Sequence, residues 1–280
     1  MQVYWNGSLV DESAVRISFD DRGFLFGDGV YEVVRVYHHQ FFEWSRHMAR
    51  LERSLRGIAL PGIDLAAITQ GADRLLEQFP EADGALYLEI TRGAYPRAHA
   101  FPPDGTKPTV LMWIRPVPAR NMDAWHDGVS VMTTYDDRWA KVWIKTIGLL
   151  PNVLAKEQAH RQGLFDAIFV RDGMVTEATS SNVFIAQNGQ LMTAPVTNYI
   201  LPGITREVLL EEAQRLQLPV VQQPFSVEAL KAADEVFLTG TTTEVLPVTK
   251  VDGHLIGTGQ AGPIARMLLD ALWSRAGVVS

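Results

Sequence analysis

Tight-turn dipeptides between stretches of alternating apolar and polar residues constrain this chain more than any other feature of its sequence. Asn6-Gly7, Asp172-Gly173 and Asn188-Gly189 each separate two such stretches. The two central residues of a type I′ turn both take positive φ angles, which Asn, Asp and Gly tolerate. The sequence therefore predicts three β-hairpins, one near the N-terminus and two in the second half of the chain.

Segments with helical spacing lie between the predicted strands. Met48, Leu51 and Leu55 are spaced for one helical face after an N-cap at Ser45. Further helices are predicted over about residues 64–79, over a segment that carries Pro151 in its first turn and ends near Gly163, and over about residues 204–217. Strands are predicted for "YEVVRVY" returning through "FFEW", for "ALYLEITR", for "TVLMWIR" and around "LTGTTTEVLPV". The alternation of β and α elements in both halves indicates an α/β or α+β protein.

The stretch "PVPARNMDAW" carries two prolines and interrupts this alternation. It predicts an interdomain linker at residues 118–123, between a smaller N-terminal domain (1–117) and a larger C-terminal domain (124–280). A chain of 280 residues is long enough for each domain to bury its own core.

Composition excludes several classes of function. There is no cysteine, so disulfides and thiolate metal sites are excluded. The net charge is −7 and the basic residues are scattered, which disfavours nucleic-acid binding. No apolar run approaches the ~18 residues of a membrane span, and the N-terminus lacks the features of a signal peptide. We expect a soluble cytoplasmic protein that binds neither membranes nor a metal ion.

Lys145 is the first candidate for chemistry. In "KVWIKTIG", read as a strand, Trp143, Lys145 and Ile147 share one face and surround an ammonium with apolar side chains. Burial lowers the pKa of a lysine and makes the amine a nucleophile able to form a Schiff base. The alternative is a lysine whose stem packs on Trp143 while its head reaches water. The strand alone favours this second interpretation.

Other candidates are equally ambiguous when taken singly. Glu177 in "VTEATSSNVF" is either an acceptor for a protonated ring nitrogen or a solvated turn residue. Gly203 precedes a predicted helix, so the amides of Ile204 and Thr205 are available to an anion. Gly240, Thr241 and Thr242 form a similar polar turn, although a Gly-started helix and a Thr-rich turn are common without any ligand. Arg50 lies on the polar face of its helix, which by itself indicates a solvated arginine.

The segment "GAYPRAHAFPPDGTK", residues 93–107, has three prolines and no periodic pattern. Loops of this length without secondary structure are uncommon in compact domains and are often functional.

Seven motifs occur in an order and at separations that resemble the fold type IV class of pyridoxal-5′-phosphate enzymes, most closely D-amino acid aminotransferases. They are "DRGFLFGDGVYEVVRVY", "HMARL", "TRGAYPRAHAFP", "RW…IKT…LLPNVLAKEQAH", "VTEATSSNVF", "LPGITRE" and "TGTTTEVLPV". The resemblance implies a two-domain α/β (α+β) fold in which the larger domain has a β-barrel-like core and the cofactor lies at the domain interface. It also implies a ping-pong transfer of an amino group from a D-amino acid such as D-alanine to a 2-oxo acid such as 2-oxoglutarate or pyruvate, through internal aldimine, external aldimine and pyridoxamine phosphate.

The resemblance assigns a role to each matching residue. Lys145 would form the Schiff base with pyridoxal 5′-phosphate and then carry a proton between the substrate α-carbon and the cofactor. Glu177 would pair with the ring nitrogen. The remaining cofactor-binding residues would be Arg50, Ile204, Thr205 and Thr241 at the phosphate, Arg138 near the phenolic oxygen and Leu201 against the ring. Tyr31, Arg97 and His99 would trap the substrate carboxylate, with Arg97 and His99 reaching across from the neighbouring subunit of a homodimer.

Two positions depart from the usual pattern of the class, because Trp143 stands where an acidic residue is usual and Gly148 where an asparagine is usual. Competing hypotheses within the fold are a branched-chain L-amino acid aminotransferase, an (R)-amine transaminase and a 4-amino-4-deoxychorismate lyase. A hypothesis of a different kind is a non-catalytic module that binds a phosphorylated ligand through "GIT" and "GTTTE". It would leave Lys145, Glu177 and "PRAH" unexplained.

Overall fold

The computed structural model describes residues 1–118 and 122–278, which group into two compact units. The first unit contains Met1–Pro118 and Ile144–Gly148, and the second contains residues 122–143 and 149–278. The sequence-based division placed Lys145 in the C-terminal domain, whereas the short segment around Lys145 groups with the first unit. Residues 119–121 of the predicted linker lie outside the described residues, and 122–123 begin a helix.

The first unit is built on a six-stranded antiparallel sheet with the order β2-β1-β6-β5-β3-β4. Its strands are β1 (Gln2–Trp5), β2 (Ser8–Asp11), β3 (Gly29–Tyr37), β4 (Gln40–Phe41), β5 (Gly84–Thr91) and β6 (Thr109–Pro116). Its helices are α1 (Arg22–Phe26), α2 (Trp44–Gly57) and α3 (Leu65–Glu77), with a 3-10 turn at Glu12–Ala14. The helix predicted from about Asp64 is confirmed, because the Asp64 carboxylate accepts hydrogen bonds from the amides of Ala66 and Ala67.

Strand β3 and helix α2 differ from the prediction at their junction. The expected return strand through "FFEW" is reduced to the two residues of β4, because Trp44 already belongs to α2. The predicted N-cap at Ser45 is wrong, since Glu43 takes the cap position with φ 53° and its side chain makes no capping bond. Strand β3 nevertheless keeps a period of two, and Val30, Glu32 and Val34 are all fully buried on one face.

The second unit contains a nine-stranded mixed sheet with the order β12-β11-β10-β13-β14-β7-β8-β9, and β15 pairs with β14. Its strands are β7 (Val129–Tyr135), β8 (Asp166–Arg171), β9 (Met174–Ala178), β10 (Asn182–Gln187), β11 (Gln190–Thr193), β12 (Val220–Gln222), β13 (Glu235–Gly240), β14 (Glu244–Val251) and β15 (His254–Leu255). Its helices are α4 (Met122–Asp127), α5 (Leu150–Arg161), α6 (Ile204–Arg215), α7 (Val227–Ala232) and α8 (Pro263–Arg275). One of the two sheets curls into a half-barrel, and the expected mixed α/β fold is confirmed.

All three predicted hairpin turns are present. Their central residues have positive φ angles: Asn6 47°, Gly7 97°, Asp172 51°, Gly173 79°, Asn188 51° and Gly189 75°. These turns connect β1 to β2, β8 to β9 and β10 to β11 in antiparallel register. In the part of the chain that the structure describes, no helix combines the length and the apolar character needed to cross a membrane.

Candidate active site

The segment that carries Lys145 is not the strand that the sequence predicted. Residues 140–143 form a turn, and the chain then touches β3 through one isolated antiparallel bridge between Val30 and Thr146. The Tyr31 amide donates to the Lys145 carbonyl at 3.0 Å, and the Ile147 amide donates to the Gly29 carbonyl at 3.2 Å. Lys145 is thereby fixed along the edge of β3, although the contact is too short to form a strand.

The side chain of Lys145 is half-buried and lies against an aromatic ring. Its Nζ is 4.2 Å from the centroid of Tyr31, and its own amide donates to Ser54 Oγ at 3.2 Å. Tyr31 stacks on Tyr87 at 5.7 Å, and Tyr87 stacks on Trp113 at 4.3 Å. The structure thus brings together Tyr31 and Lys145, two of the residues expected to act on the substrate.

Arg50 is a buried arginine, and the interpretation of a solvated side chain is wrong. It is 3% exposed, and its Nε and Nη2 donate to the two oxygens of Glu32 at 2.8 Å and 2.7 Å. His47 Nδ1 lies 2.8 Å from Glu32 Oε2. The Arg50 guanidinium, on helix α2, is therefore held in a fixed orientation by the Glu32 carboxylate on strand β3.

Electrostatics determine the protonation states in this cluster. Burial would raise the pKa of Glu32, but the Arg50 charge and the His47 hydrogen bond outweigh it, and the pKa of Glu32 falls to about 2. Burial lowers the pKa of His47 despite the opposing effect of Glu32. A neutral His47 must carry its proton on Nδ1 in order to donate to the carboxylate, which leaves Nε2 as an acceptor.

The buried carboxylate of Glu32 is expected to make stability depend on pH. Its pKa in the folded chain is about 2, below the ordinary value of 4.5, so its stabilising effect is present above about pH 5 and is lost as the pH falls towards 2. A shift of this size corresponds to about 3 kcal/mol. We expect urea titrations to show Glu32→Gln destabilised relative to wild type at neutral pH. That difference should shrink by up to about 3 kcal/mol as the pH falls from about 6 towards 2.

Glu52→Gln is the matched control for this experiment. Glu52 lies on the same helix α2, but its side chain is exposed and its ion pair with Arg56 is on the surface. Exposed pairs contribute ~0–1 kcal/mol, so this variant should follow wild type at every pH. A Glu32→Gln variant whose destabilisation is equal at pH 7 and pH 3 would show that the charge of Glu32 is not the cause.

Glu177 is buried in β9, so the interpretation of a solvated turn residue is also wrong. Arg138 Nη1 donates to its Oε1 at 2.6 Å. The Leu201 amide and the Asn182 side-chain amide donate to its Oε2 at 2.9 Å and 3.1 Å. The carboxylate is thus oriented by three donors from three different segments.

Arg138 is the counter-charge of Glu177 rather than a freely available cation. Its Nε and Nη2 donate to the two oxygens of Asp136, both at 2.9 Å, and its guanidinium lies 4.2 Å from the centroid of Phe169. Burial raises the pKa of Glu177, and the Arg138 charge opposes that rise without cancelling it. A further positive group next to Glu177 would therefore stabilise its ionised form.

Asn182 connects Glu177 to the start of α6. Its side-chain amide donates to the Leu201 carbonyl at 3.0 Å as well as to Glu177. Gly203 is the N-cap of α6, and a Cβ at that position would lie 2.1 Å from Asn182 Oδ1, so only glycine fits. Gly203 has no side chain that could cap this helix, so the N-terminal amides at Ile204 and Thr205 are in a position suited to bind an anion.

The predicted polar turn lies between β13 and β14, at residues 241–243. It is adjacent to Asn182, because Asn182 pairs with Thr239 in the sheet. A Cβ at Gly240 would lie 3.2 Å from Ser181 Oγ, and Ser181 Oγ donates to Thr243 Oγ1 at 3.4 Å. Thr241 and the N-terminus of α6 are therefore placed around one pair of residues, Ser181 and Asn182.

The loop at residues 93–107 contains two further predicted site residues, Arg97 and His99, and both are exposed. The Arg97 guanidinium lies 5.1 Å from the centroid of Phe26, and the His99 ring meets Phe26 edge-on at 5.7 Å. Both side chains contact Phe26. Among the contacts described for the first unit, neither Arg97 nor His99 contacts Tyr31.

Gly148 and Trp143, the two residues that depart from the usual pattern of the class, have different surroundings. Gly148 is exposed, and a Cβ there would meet only Thr146 Oγ1, at 3.7 Å. A Cβ would therefore fit at this position. Trp143 is half-buried at the end of the turn that precedes Lys145.

A family model described as amino-transferase class IV matches residues 29–251, which is most of the chain. The chain belongs to the class IV aminotransferase family. This establishes the enzyme as a pyridoxal-phosphate-dependent aminotransferase, as the sequence motifs predicted.

Curated relatives are similar to this aminotransferase over nearly its full length. A D-alanine aminotransferase of Bacillus licheniformis is 41% identical over 276 residues, which cover 97% of this chain and 96% of the relative. A D-alanine aminotransferase of Staphylococcus epidermidis is 40% identical over 268 residues, covering 95% of each chain.

Solved structures of aminotransferases have the same fold. The branched-chain amino acid aminotransferase of Escherichia coli superimposes with a TM-score of 0.91 at 26% identity, covering 98% of this chain and 93% of that one. A hypothetical aminotransferase from Mycobacterium tuberculosis, in a form bound to α-ketoglutarate and PMP, gives a TM-score of 0.87 at 28% identity and covers 98% of both chains.

The residues present fit pyridoxal phosphate. An ionised carboxylate has about four lone-pair positions, and Glu177 accepts three hydrogen bonds, which leaves one for a protonated ring nitrogen. The N-terminus of α6, whose N-cap is a glycine, and the turn at residues 241–243 supply donors of the kind that bind phosphate. Lys145 supplies a primary amine in a half-buried position.

Sequence reasoning missed the partners that hold these groups. Glu32, His47 and Ser54 fix Arg50 and the Lys145 backbone, while Asp136 and Asn182 fix Arg138 and Glu177. One signal was available for Glu32. An acidic residue at a buried position of an alternating strand, between Val30 and Val34, needs a cationic partner.

Proposed function

We propose that this enzyme transfers an amino group from a D-amino acid such as D-alanine to a 2-oxo acid such as 2-oxoglutarate or pyruvate, by a ping-pong mechanism. The observation that carries the proposal is that two D-alanine aminotransferases are about 40% identical to the chain over nearly its whole length. The branched-chain enzyme of similar fold is only 26% identical.

Lys145 is proposed as the catalytic residue. Lys145 would hold pyridoxal phosphate, which, once joined to the substrate amine in place of Lys145, would supply an electron sink for the substrate α-carbon. Released in this way, Lys145 Nζ would be the group that takes the proton from the substrate α-carbon and gives it back on the cofactor side. The Tyr31 ring and the fixed backbone of the segment orient the amine for both steps.

The other cofactor roles follow from charge. Glu177 would hold a proton on the ring nitrogen of the cofactor, and Arg138, itself bound to Asp136, keeps that carboxylate in place. Arg50, Thr241 and the amides of Ile204 and Thr205 bind the phosphate. Leu201, whose amide donates to Glu177, would lie against the cofactor ring.

We further propose a homodimer in which Arg97 and His99 of one subunit serve the site of the other, with Tyr31 completing the trap for the substrate carboxylate. Two exposed phenylalanines near this loop, Phe19 (78%) and Phe24 (76%), are apolar surface of the kind that subunit contacts cover. Arg97 and His99 are themselves exposed in the single chain. A guanidinium and an imidazole held side by side suit a carboxylate.

Arg97→Ala tests the substrate class. A charged hydrogen bond contributes ~1.5–3 kcal/mol, so we expect kcat/KM for D-alanine and affinity for 2-oxoglutarate to fall by about tenfold to a hundredfold. Activity with (R)-1-phenylethylamine, which has no carboxylate, should be unchanged or higher. Cofactor affinity should remain at the wild-type value.

Two controls test whether the effect is specific to Arg97 and whether Arg97 acts across the subunit boundary. Lys107→Ala removes the other exposed cation of the same loop and should leave both substrates unaffected. Mixed dimers of Arg97→Ala and Lys145→Ala subunits should regain activity, because one of their two sites combines an intact Lys145 with an intact Arg97 from the neighbour. Equal losses for D-alanine and the amine would argue against the trap, and mixed dimers without activity would argue against its location across subunits.

The branched-chain alternative is decided by the preferred donor. A panel of D-alanine, L-alanine, D-glutamate, L-leucine and (R)-1-phenylethylamine, assayed with 2-oxoglutarate and pyruvate, measures it directly. A preference for L-leucine over every D-amino acid would replace our proposal.

A further inference from the structure

Helix α1 and its flanking residues, "DDRGFLFGD" at 20–28, have no assigned part in the proposed chemistry. They lie along the start of the 93–107 loop. The Arg22 amide donates to the Gly93 carbonyl at 2.9 Å, and the Tyr95 amide donates to the Asp20 carbonyl at 3.1 Å. An isolated bridge pairs Asp21 with Ala94. These backbone contacts fix the first residues of the loop but do not reach Arg97 or His99.

Arg22 fixes the middle of the loop through its side chain. It is 3% exposed, and its Nη1 donates to the carbonyls of Ala98 at 2.7 Å and Ala100 at 3.2 Å. These carbonyls belong to the two residues that flank His99, and Ala98 directly follows Arg97. One buried nitrogen therefore determines the backbone path from which both substrate-binding side chains project.

Phe26 supports the side chains themselves. It lies four residues after Arg22, on the same face of α1. Its ring contacts the guanidinium of Arg22 at 4.8 Å, the guanidinium of Arg97 at 5.1 Å and the ring of His99 at 5.7 Å. A single aromatic ring thus limits the orientations of both Arg97 and His99.

Asp28 completes the arrangement by joining two arginines. It accepts from Arg22 Nε at 2.8 Å, and from Arg92 Nε and Nη2 at 2.8 Å and 3.0 Å. The Arg92 guanidinium in turn lies 3.7 Å from the centroid of Phe101, the residue after Ala100. The loop is therefore held at its start, at its middle and at Phe101, although it has no regular secondary structure.

We propose that Arg22 and Phe26, braced by Asp28, are positioning residues that hold Arg97 and His99 ready for the substrate carboxylate. The inference rests on the proposed carboxylate trap. Neither residue touches the substrate. They restrict the conformations of the loop before the substrate binds, so that less conformational entropy is lost on binding. In the proposed homodimer, this device on one subunit serves the site of its neighbour.

Arg22→Met in the holoenzyme tests the proposal. A misplacement of about 1 Å in a positioning group can cost about a hundredfold in rate. We expect kcat/KM for D-alanine to fall by about tenfold to a hundredfold, mainly through KM, while (R)-1-phenylethylamine changes by less than about twofold. Phe26→Leu should act in the same direction with a smaller effect.

Two further measurements separate positioning from general structural damage. The double variant Arg22→Met/Arg97→Ala should be no more than about twofold worse than Arg97→Ala alone, because both changes remove the same interaction. Trypsin should cleave after Arg97 faster in the Arg22→Met holoenzyme than in wild type. The matched control is Arg16→Met, since Arg16 is an exposed arginine whose Nη1 donates to the carbonyls of Ser13 and Val15 in a different loop. It should change neither measurement.

The possible outcomes are distinguishable. If Arg97→Ala discriminates between D-alanine and the amine but Arg22→Met does not, this inference fails and the carboxylate trap stands. If Arg97→Ala does not discriminate, the trap fails and this inference fails with it. Additive losses in the double variant, or wild-type cleavage after Arg97, would also overturn it. If Arg22→Met does not fold, Arg22→Lys replaces it in every comparison. The lysine keeps the positive charge next to Asp28, but it has no planar group that could bind both carbonyls and Asp28 at once.

Discussion

Lys145→Ala is expected to lower the rate of D-alanine transamination by about a thousandfold or more. Loss of a positioned acid-base group alone costs about 10²–10⁴-fold, and this variant also loses the amine that attaches the cofactor. The fold should survive, because the segment is held to β3 and α2 by its backbone, through Tyr31, Gly29 and Ser54. Steady-state kinetics and the visible absorption of the bound cofactor measure the two losses separately.

Lys141→Ala is the matched control for Lys145→Ala. Lys141 lies four residues earlier, in the turn before the site, and its side chain is exposed. This variant should retain wild-type turnover and the wild-type visible band. Borohydride reduction followed by peptide mapping should place the cofactor on Lys145. Recovery of the label on Lys141 or Lys156, or wild-type turnover in Lys145→Ala, would refute the assignment.

Glu177→Gln is expected to reduce transamination by about tenfold to a few hundredfold while leaving the fold intact. A neutral amide cannot stabilise a proton on the ring nitrogen as a carboxylate does, and a charge-assisted hydrogen bond is worth ~1.5–3 kcal/mol. Arg138 should not become an unpaired buried charge in this variant, because it keeps both hydrogen bonds to Asp136. Single-turnover rates with D-alanine, followed by the change in cofactor absorbance, isolate the chemical step.

Glu212→Gln provides a control of similar burial in the same unit. Glu212 is 6% exposed and pairs with Arg215 and Arg275, away from the groups assigned to the cofactor. This change should alter stability and leave the single-turnover rate at the wild-type value. A Glu177→Gln variant that transaminates as fast as wild type would show that the carboxylate has another task.

Local signals in the sequence predicted local structure well. The Asn-Gly and Asp-Gly turns, and the helix that begins after Asp64, depend on the φ preferences and capping of a few adjacent residues, and all are present. Gly203 at the start of α6 and the turn between β13 and β14 were likewise placed correctly. These features depend mainly on adjacent residues and little on packing against distant parts of the chain.

Elements without a sufficient local signal were predicted poorly. The five residues of α1 are too few to show a helical period, so the sequence predicts no helix at "RGFLFGDG". The Lys145 segment alternates like a strand, but it makes a turn and a single bridge to a strand more than a hundred residues earlier in the chain. Neither outcome depends on neighbouring residues alone.

The sequence by itself determined the family, the chemistry of its residues and the local turns and helices. Tertiary structure alone decided which charged residues are buried and how they are oriented. Arg50 and Glu177 looked like solvated side chains because their partners, Glu32 and Arg138, are 18 and 39 residues away along the chain. The free energy of a buried charge depends on the groups that surround it in space, and only the folded chain brings those groups together.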